Sequence, residues 1–405
     1  MTTSDKDDWQ AFYRVTGLTP VINVSGTMTG LGASSAGQKV ADACAAILPH
    51  FVKMHELQAL ASETIARLTG AEAGCVTASA SAGITLSVAG TMTGLNPAAV
   101  ERLPDTTGMK NEVVIQAGHL CHYGAPVEQS IRLAGATVIP VGQSTQVLDH
   151  QLAGAINERT AAAVYVVSHH VVDYGQIPFD AFVAICRQAG VPAIVDAASE
   201  YDLTGFIAAG ADLAIYSAHK FLGGPTAGIV AGSADRVRAA YLQNMGIGRG
   251  MKVGKESIFG TIAALRDWEV RDHEAVRQAE REALHTWLEV LSNRPGIKAA
   301  IVPDPTDNPL DRLRVDIDPV AAGASARAVA AALAAGEPSV VVRDHEVEQG
   351  WIQLDPCNLL PGQQAMVVRR LEEVCDAASA GELSEPDETV WRNQSVNAYL
   401  NWGRP

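Results

Sequence analysis

The stretch "YSAHKFLGGPTAGIVAG" (residues 216–232) places one lysine, Lys220, among small and apolar residues, directly after a histidine. The residues that lead into it, "DLAIYS", form a short apolar run typical of a buried strand, so the lysine is expected at the carboxyl end of that strand. A second run, "AIVDAAS" (193–199), carries Asp196 at its own carboxyl end. In open α/β sheets ligands bind in the crevice outside these ends. The two runs therefore predict an amine and a carboxylate that face one crevice.

Short apolar runs rich in β-branched residues alternate with Ala-rich stretches of helical length from about residue 70 to residue 232. The runs are "GCVT", "NEVVIQ", "GATVIPV", "AAAVYVV", "PAIVDAA", "DLAIYS" and "AGIVAG". This alternation is typical of strand–helix units. It predicts an α/β fold with a mostly parallel seven-stranded sheet covered by helices on both faces.

The carboxyl-terminal part of the chain has a different order of elements. A charged helix predicted over 269–293 is followed by a strand–helix–strand–strand–helix pattern, with helices at 324–335 and 362–379, which predicts a smaller α+β domain with an antiparallel sheet. The expected organisation has an amino-terminal segment, a large domain, a small domain and a polar tail, over residues 1–50, 51–268, 269–383 and 384–405.

Composition excludes several classes of protein. The 405 residues are 47% hydrophobic, enough for a sizeable core, and the formal net charge of −15 argues against nucleic acid as a partner. Six dispersed cysteines without a CxxC pair predict reduced thiols and no metal site. The polar amino terminus lacks a signal-peptide pattern, and no apolar run approaches the roughly 18 residues of a membrane span. A cytoplasmic protein without membrane contact is expected.

Lys220 and Asp196 together suit pyridoxal 5'-phosphate. An amine forms the Schiff base with its aldehyde, and a carboxylate keeps its pyridine nitrogen protonated. The segment "TASASAGITLSVAG" (77–90) offers small residues and a helix beginning near Ala82, where backbone N–H groups can bind the phosphate. The alternatives are an ordinary loop lysine, an aspartate that caps a helix, and a small-residue turn that opens a tightly packed helix.

Six separated segments resemble the family of bacterial selenocysteine synthase (seryl-tRNA selenium transferase) and its shorter relatives, which include ammonia-lyases. The similarity spans about residues 10–375. The segments are "VINVSGTMTGLG" (21–32), "TASASAGI" (77–84), "VIQAGHLCHYGAPVEQSIRLAGA" (114–136), "IVDAASE" (194–200), "SAHKFLGGPTAGIVAG" (217–232) and "IGRGMKVGKESIFGTIAAL" (247–265). The resemblance implies the fold of the fold type I pyridoxal-phosphate enzymes and a homodimer or higher homo-oligomer.

The resemblance also implies roles for individual residues. Lys220 is expected to form the Schiff base and Asp196 to pair with the pyridine nitrogen, while His119 is expected to stack on the ring. The other expected cofactor contacts are Ser79, Ser81, Ala82 and Gly83 at the phosphate, Ser168 at the 3-oxygen, Ser217 and His219 nearby, and Lys255 from the neighbouring subunit. The candidate substrate contacts are Thr27, Thr29, His169, Arg249, Lys252 and Arg343.

Several of these residues also have simpler interpretations, or only weak evidence for a functional role. "GRGMKVGKES" resembles a Walker A loop but lacks its first glycine and its final Ser or Thr, and its cations could form a solvated face. His119 and His122 form only weak evidence for a metal pair. Arg343 lies in the apolar run "PSVVVRDHE", where an arginine can bind a substrate carboxylate through two hydrogen bonds or form a structural salt bridge.

The sequence is compatible with three classes of function: an enzyme that acts on a small amino acid, a tRNA-dependent selenium transferase, and a non-catalytic or nicotinamide-binding protein. We favour a lyase that removes the β-hydroxyl and ammonia from a small, anionic hydroxy amino acid or 2-amino sugar acid, possibly phosphorylated, and yields a 2-keto acid. An amino-acid racemase, epimerase or aldolase that uses the same lysine is the alternative. A selenium transferase on seryl-tRNA is disfavoured by the charge and by the position of "VINVSGT" at residue 21. A non-catalytic or nicotinamide-binding α/β protein is disfavoured because no G-x-G-x-x-G follows a first strand and because a buried lysine–aspartate pair would then have no purpose.

Overall fold

The computed structural model describes residues 9–402. Their seventeen α-helices are α1 Trp9–Thr16, α2 Gln38–Ile47, α3 Met54–Thr69, α4 Ala80–Thr93, α5 Pro97–Arg102, α6 Val127–Arg132, α7 Asp149–Ala155, α8 Phe179–Ala189, α9 Gly205–Ala208, α10 Ala234–Leu242, α11 Lys255–Val270, α12 His273–Leu291, α13 Pro319–Ala322, α14 Ala326–Ala334, α15 Gln363–Ser379, α16 Glu388–Arg392 and α17 Gln394–Asn401. Their twelve strands are β1 Val21–Val24, β2 Ala73–Thr77, β3 Glu112–Gln116, β4 Thr137–Val141, β5 Thr160–Val166, β6 Ala193–Asp196, β7 Leu213–Ser217, β8 Gly228–Gly232, β9 Ile297–Pro303, β10 Asp311–Ile317, β11 Ser339–Val342 and β12 Trp351–Leu354.

The described residues divide into two compact units. The larger unit comprises Gly32–Arg271 and Pro305–Asn308. The other unit comprises the described residues up to Leu31, Asp272–Asp304, and those from Pro309 onward. The four boundaries expected from the sequence stay a prediction.

The larger unit contains a seven-stranded sheet in the order β2-β8-β7-β6-β5-β3-β4. Strands β4, β3, β5, β6 and β7 are parallel, whereas β8 runs antiparallel to both of its neighbours. All residues of β3, β6, β7 and β8 are buried, which fits strands covered on both faces. The predicted mostly parallel α/β sheet is confirmed.

Helix α4 crosses this sheet at close range because its sequence is rich in small residues. A Cβ atom at Gly83 would lie 3.1 Å from Ile215 Cγ2 and 3.2 Å from Val230 Cγ2, both on the sheet. A Cβ atom at Gly90 would lie 2.8 Å from the backbone nitrogen of Ala240 in α10. The absent side chains allow α4 to pack closely between the sheet and α10, and this packing holds its amino terminus at the sheet's edge.

The smaller unit is α+β, as the sequence predicts. Strands β9, β10 and β12 form an antiparallel sheet in the order β12-β10-β9, and β1 pairs with β11 in parallel. Its core includes the fully buried Trp287 of α12 and Leu371 of α15. Trp391 of the polar tail packs on this core, whereas Tyr399 and Trp402 are exposed.

The helix expected at 269–293 begins later than its periodicity suggests. Helix α11 ends at Val270 and α12 starts at His273, because the Asp272 side chain accepts a hydrogen bond from the Ala275 N–H and caps the new helix. The helix expected near Ala82 starts at Ala80 instead, since Ser79 Oγ accepts from the Ala82 N–H and so makes Ser79 the N-cap.

Candidate active site

Two neighbouring strands of the large sheet end in the charged groups that the sequence singles out. Strand β6 ends at Asp196, which pairs with Ile215 of β7, and Lys220 follows three residues after the end of β7. The Lys220 ammonium donates a hydrogen bond to Ser199 Oγ, just beyond β6. The parallel pairing thus brings the carboxylate and the amine to the same edge of the sheet.

Burial perturbs both groups in the direction of their neutral forms. It raises the pKa of Asp196 from 3.8 to about 6, and the positive charge of Lys220 opposes this rise. It also lowers the pKa of Lys220, and the charges of Asp196, Glu200 and Cys121 oppose that fall. Each charged form depends on the other, so the pair is coupled rather than two separate surface charges.

The amino terminus of α4 presents donors that suit a phosphate group. Ser79 caps the helix, and the backbone N–H groups of Ala80 and Ser81 lie in its first turn, where a helix offers no acceptor. Ser81 Oγ lies 2.7 Å from Ser130 Oγ, which is 3.0 Å from the Tyr123 hydroxyl. Three hydroxyls and a helix amino terminus at one place form an arrangement that binds anions.

The remaining candidates near the strand ends have defined neighbours. Ser217 is buried, and its Oγ lies 3.5 Å from Nδ1 of His219. The pKa of His219 is lowered by burial and by the charge of Lys220. Ser168 Oγ accepts a hydrogen bond from the His170 N–H, and the rings of His169 and His170 lie 3.9 Å apart.

The His119 side chain is buried in the protein interior and does not lie on the open surface of a crevice. It is 2% exposed, and its Nδ1 accepts a hydrogen bond from the Val166 N–H at 3.1 Å. Its ring meets Tyr165 edge to face at 4.4 Å between centroids. Burial lowers the pKa of His119 to about 4, so the imidazole is neutral near pH 7. The expectation that it stacks on the cofactor stays a prediction.

The cations of "GRGMKVGKES" lie on the outside of the larger unit. Arg249 and Lys252 are exposed, and the Lys255 ammonium donates to the backbone oxygens of Leu48 and His50. Lys255 Nζ also lies 5.9 Å from the ring centroid of Phe51. The expected contact of Lys255 with a cofactor phosphate in a neighbouring subunit stays a prediction.

Thr27, Thr29 and Arg343 belong to the smaller unit. Arg343 is 5% exposed, and its backbone pairs with Gln353. Nearby, Arg312 forms ion pairs with both Asp304 and Asp355. Burial and the positive charge of Arg312 lower the pKa of Arg343. Within the described part of the chain, no carboxylate lies at ion-pair distance from the Arg343 guanidinium.

The chain was compared with known proteins. The sequence model of SelA, L-seryl-tRNA selenium transferase, matches residues 21–292. The chain belongs to this family. It is 39% identical to D-glucosaminate-6-phosphate ammonia lyase of Salmonella typhimurium over 91% of the chain and 98% of the relative. It is 38% identical to 5'-C-glycyluridine monooxygenase-decarboxylase of a Streptomyces species over 89% of the chain and 91% of the relative.

Solved structures confirm the fold. A structure of D-glucosaminate-6-phosphate ammonia-lyase, 38% identical, superposes with a TM-score of 0.82 over 91% of this chain and 99% of that one. Aspartate aminotransferase of Thermus thermophilus, 16% identical, gives a TM-score of 0.54 over 92% of this chain and 96% of that one. The SelA-family chain therefore has the fold type I architecture of pyridoxal-phosphate enzymes, and the family and fold indicate that cofactor.

The residues present fit pyridoxal 5'-phosphate. Lys220 offers the amine for its aldehyde, and the buried Asp196 offers a carboxylate for its ring nitrogen. The hydroxyls around the start of α4 offer donors for its phosphate.

Among residues 9–402, no group of three or more His, Cys, Asp or Glu side chains could hold a metal ion. None of the helices in this range has the length and hydropathy that a membrane span requires.

Sequence reasoning missed five residues that the structure brings to these groups: Cys121, Tyr123, Ser130, Ser199 and Glu200. A signal existed for the last two, since they follow directly after the strand that ends in Asp196. The other three lie in a segment used for the family resemblance, but their neighbours Ser81, Asp196 and Lys220 are distant in sequence.

Proposed function

We propose that this SelA-family chain is a pyridoxal-phosphate-dependent ammonia-lyase. Its substrate would be a small anionic hydroxy amino acid or a 2-amino sugar acid, and its net products would be a 2-keto acid and ammonia. One water leaves with the β-hydroxyl, and one water is taken up when hydrolysis releases the ammonia. The observation that carries the proposal is the buried Lys220–Asp196 pair at adjacent strand ends. The 39% identity to an ammonia lyase over 91% of the chain supports the reaction class.

The cofactor, when bound, supplies an aldehyde that joins an amine and a ring that accepts the electron pair released at the substrate α-carbon. Lys220 would hold the cofactor through Nζ and then, as a free amine, take the α-proton at that atom. Its lowered pKa favours the neutral amine that this step needs. Asp196 would hold a proton on the ring nitrogen, and a positive group there would itself favour the ionised carboxylate.

Arg343 is the candidate for binding the substrate carboxylate. It is a nearly buried cation, and Arg312 already engages the two neighbouring carboxylates of Asp304 and Asp355. A planar anion that accepts two hydrogen bonds strongly stabilises a buried guanidinium. Gly26, next to the candidate Thr27, also lies close to Asp355, so that segment and Arg343 share one neighbourhood.

The reaction is tested by incubating the cofactor-loaded protein with D- and L-hydroxy amino acids and 2-amino sugar acids, with and without a phosphate group, in deuterated water. Elimination predicts ammonia and a 2-keto acid that carries deuterium at C3. The alternative racemase or epimerase predicts deuterium at the α-carbon of recovered amino acid and no ammonia. An aldolase predicts an aldehyde product. Exchange or cleavage without ammonia across the panel would refute the lyase.

A second candidate follows from the 38% identity to a monooxygenase-decarboxylase over 89% of the chain. An enzyme of that kind consumes dioxygen and releases carbon dioxide, whereas the lyase does neither. The same incubations should therefore be followed with an oxygen electrode. Dioxygen uptake coupled to decarboxylation, in place of ammonia release without dioxygen uptake, would favour this second candidate.

We further propose that the active protein is at least a homodimer in the cytoplasm. Leu48 and Phe51 are exposed apolar residues beside Lys255, and the resemblance implies that the segment "GRGMKVGKES", which contains Lys255, extends toward the neighbouring subunit. The net charge of −15 continues to argue against a nucleic-acid partner.

A further inference from the structure

The turn that follows β6 is held by the segment Pro305–Asn308, which belongs to the same compact unit as Lys220. Asn308 Oδ1 accepts a hydrogen bond from the Tyr201 N–H at 2.8 Å, and its Nδ2 donates to the Ser199 oxygen at 3.3 Å. One amide side chain therefore binds the backbone on both sides of Glu200. This fixes the direction in which the Glu200 side chain leaves the turn.

The same segment also contacts the Glu200 side chain. Thr306 Oγ1 donates to Glu200 Oε1 at 3.2 Å, and Asn308 Nδ2 donates to Thr306 Oγ1 at 3.0 Å. Glu200 is only 9% exposed. Between Thr306 and Asn308, Asp307 has a φ of 60°, in the left-handed region that few residues other than glycine adopt. This left-handed turn, which aspartate tolerates better than most residues, lies between the two residues that hydrogen-bond to Glu200 and Ser199.

The charge of Glu200 acts on Lys220. It raises the pKa of the lysine together with Asp196 and Cys121, while burial lowers it. His219 is a further titratable neighbour, and its pKa is lowered by burial and by the charge of the lysine. Because Asp196 is assigned to the cofactor ring, Glu200 is the carboxylate that remains to stabilise a positive charge on Lys220.

We propose that Glu200 is a further residue of the active site, which stabilises the Lys220 ammonium, and that Thr306 and Asn308 are positioning residues for Glu200 and Ser199. The inference rests on the proposed role of Lys220 as the base. In that step the substrate Cα–H bond breaks, an N–H bond forms at Nζ, and the electron pair stays with the substrate carbon and is delocalised into the ring. The new positive charge at Nζ then lies beside Ser199 Oγ, one residue before Glu200, whose negative charge favours the charged lysine.

The test follows the reactivity of Lys220 in the protein without cofactor. Reductive methylation modifies the neutral amine, so its rate at the Lys220 peptide, measured by mass spectrometry against pH, gives the midpoint at which the ammonium loses its proton. Glu200→Gln removes the stabilising charge, so the midpoint should move to lower pH and labelling below it should become about fivefold faster. Glu158→Gln, an equal charge change at an exposed position, should leave the midpoint in place.

Thr306 provides a conservative pair of variants. Thr306→Val loses the donor to Glu200 and should shift the midpoint in the same direction as Glu200→Gln, whereas Thr306→Ser keeps the donor and should match the parent. A merely structural role would lower the melting temperature of Thr306→Val without moving the midpoint. An unchanged midpoint in Glu200→Gln, or equal midpoints for the two Thr306 variants, would overturn the proposal.

The experiment remains decisive in two cases: if Glu200→Gln does not fold, and if the cofactor binds a different lysine. If Glu200→Gln fails to fold, as its melting curve would show, the Thr306 pair and Asn308→Ala still decide. If borohydride fixes pyridoxal phosphate on a lysine other than Lys220, the proposed function fails. The labelling midpoints of the cofactor-free protein can still be measured in that case, so the two failures are distinguishable.

Discussion

At the scale of single residues, Asp196 is a buried acid whose ionisation depends on its surroundings. Burial raises its pKa to about 6, and the Lys220 ammonium keeps that value from rising further. Its carboxylate is therefore mostly ionised at pH 7 and mostly protonated at pH 5. An ionised carboxylate attracts a protonated pyridine nitrogen, whereas a neutral carboxyl group loses that attraction.

We therefore expect uptake of pyridoxal phosphate by the cofactor-free protein to weaken as the pH falls from 7 to 5, by about tenfold. Asp196→Asn should lack the part of this pH dependence that comes from the carboxyl group, and should keep only the part due to the cofactor's own titration. It should retain covalent cofactor on Lys220 but lose most turnover. Absorbance titrations at each pH measure uptake; identical pH profiles for the two proteins would remove Asp196 from the site.

At the scale of elements, the amino terminus of α4 carries a serine cap at the candidate phosphate site. Ser79 Oγ accepts the Ala82 N–H at 3.0 Å, which stabilises the first turn, and its hydroxyl can still donate to a phosphate oxygen. Ser325 caps α14 in the same manner, with its Oγ accepting the Ala328 N–H at 3.0 Å. Ser79 and Ser325 thus cap their helices with the same hydrogen bond, and only Ser79 lies in the candidate site. The Ser325 hydroxyl also donates to Glu385 Oε2 at 2.6 Å.

Ser79→Ala and Ser325→Ala should each lower the free energy of unfolding by about 1 kcal/mol, measured by denaturant titration. Only Ser79→Ala should weaken binding of pyridoxal phosphate, by about tenfold, because it removes one phosphate donor. Neither variant should change binding of pyridoxal, which lacks the phosphate. Equal effects of the two variants on phosphate-dependent binding would show that Ser79 acts on helix stability alone.

At the scale of the whole molecule, the question is whether one chain builds a complete site. The resemblance places "GRGMKVGKES" at the cofactor of a neighbouring subunit, and the structure has the Lys255 ammonium on the backbone oxygens of Leu48 and His50 of its own chain. Arg249 and Lys252 of this segment are exposed and could bind an anion. A cofactor phosphate of a second copy would be such an anion.

Mixing Lys220→Ala protein with Lys255→Ala protein tests this arrangement. If the segment acts across the interface, each mixed dimer contains one site with both lysines, and ammonia release should recover to about a quarter of the parent's rate after full subunit exchange. Exchange is verified independently with two mass-tagged forms. No recovery after verified exchange would indicate a site built within one chain.

The sequence alone determined the class of fold and the charged pair at its centre. Fully buried strands need short apolar runs, and the alternation with helices dictates a mostly parallel sheet, so β6 and β7 and the groups at their ends were predictable from local pattern. Local pattern was less reliable at helix ends. The helix expected at 269–293 is interrupted at Asp272, where one side-chain hydrogen bond outweighs continuous helical periodicity.

The tertiary structure decided which polar residues join that pair. Ser130 reaches Ser81 across 49 positions of sequence, and Thr306 reaches Glu200 across 106, and no periodicity in the sequence encodes either contact. The depth of His119 and the pKa of about 6 at Asp196 likewise depend on how completely the surrounding chain excludes water. Hydrophobic spacing is a local property of the chain, whereas desolvation and side-chain hydrogen bonding depend on distant segments that meet only after folding.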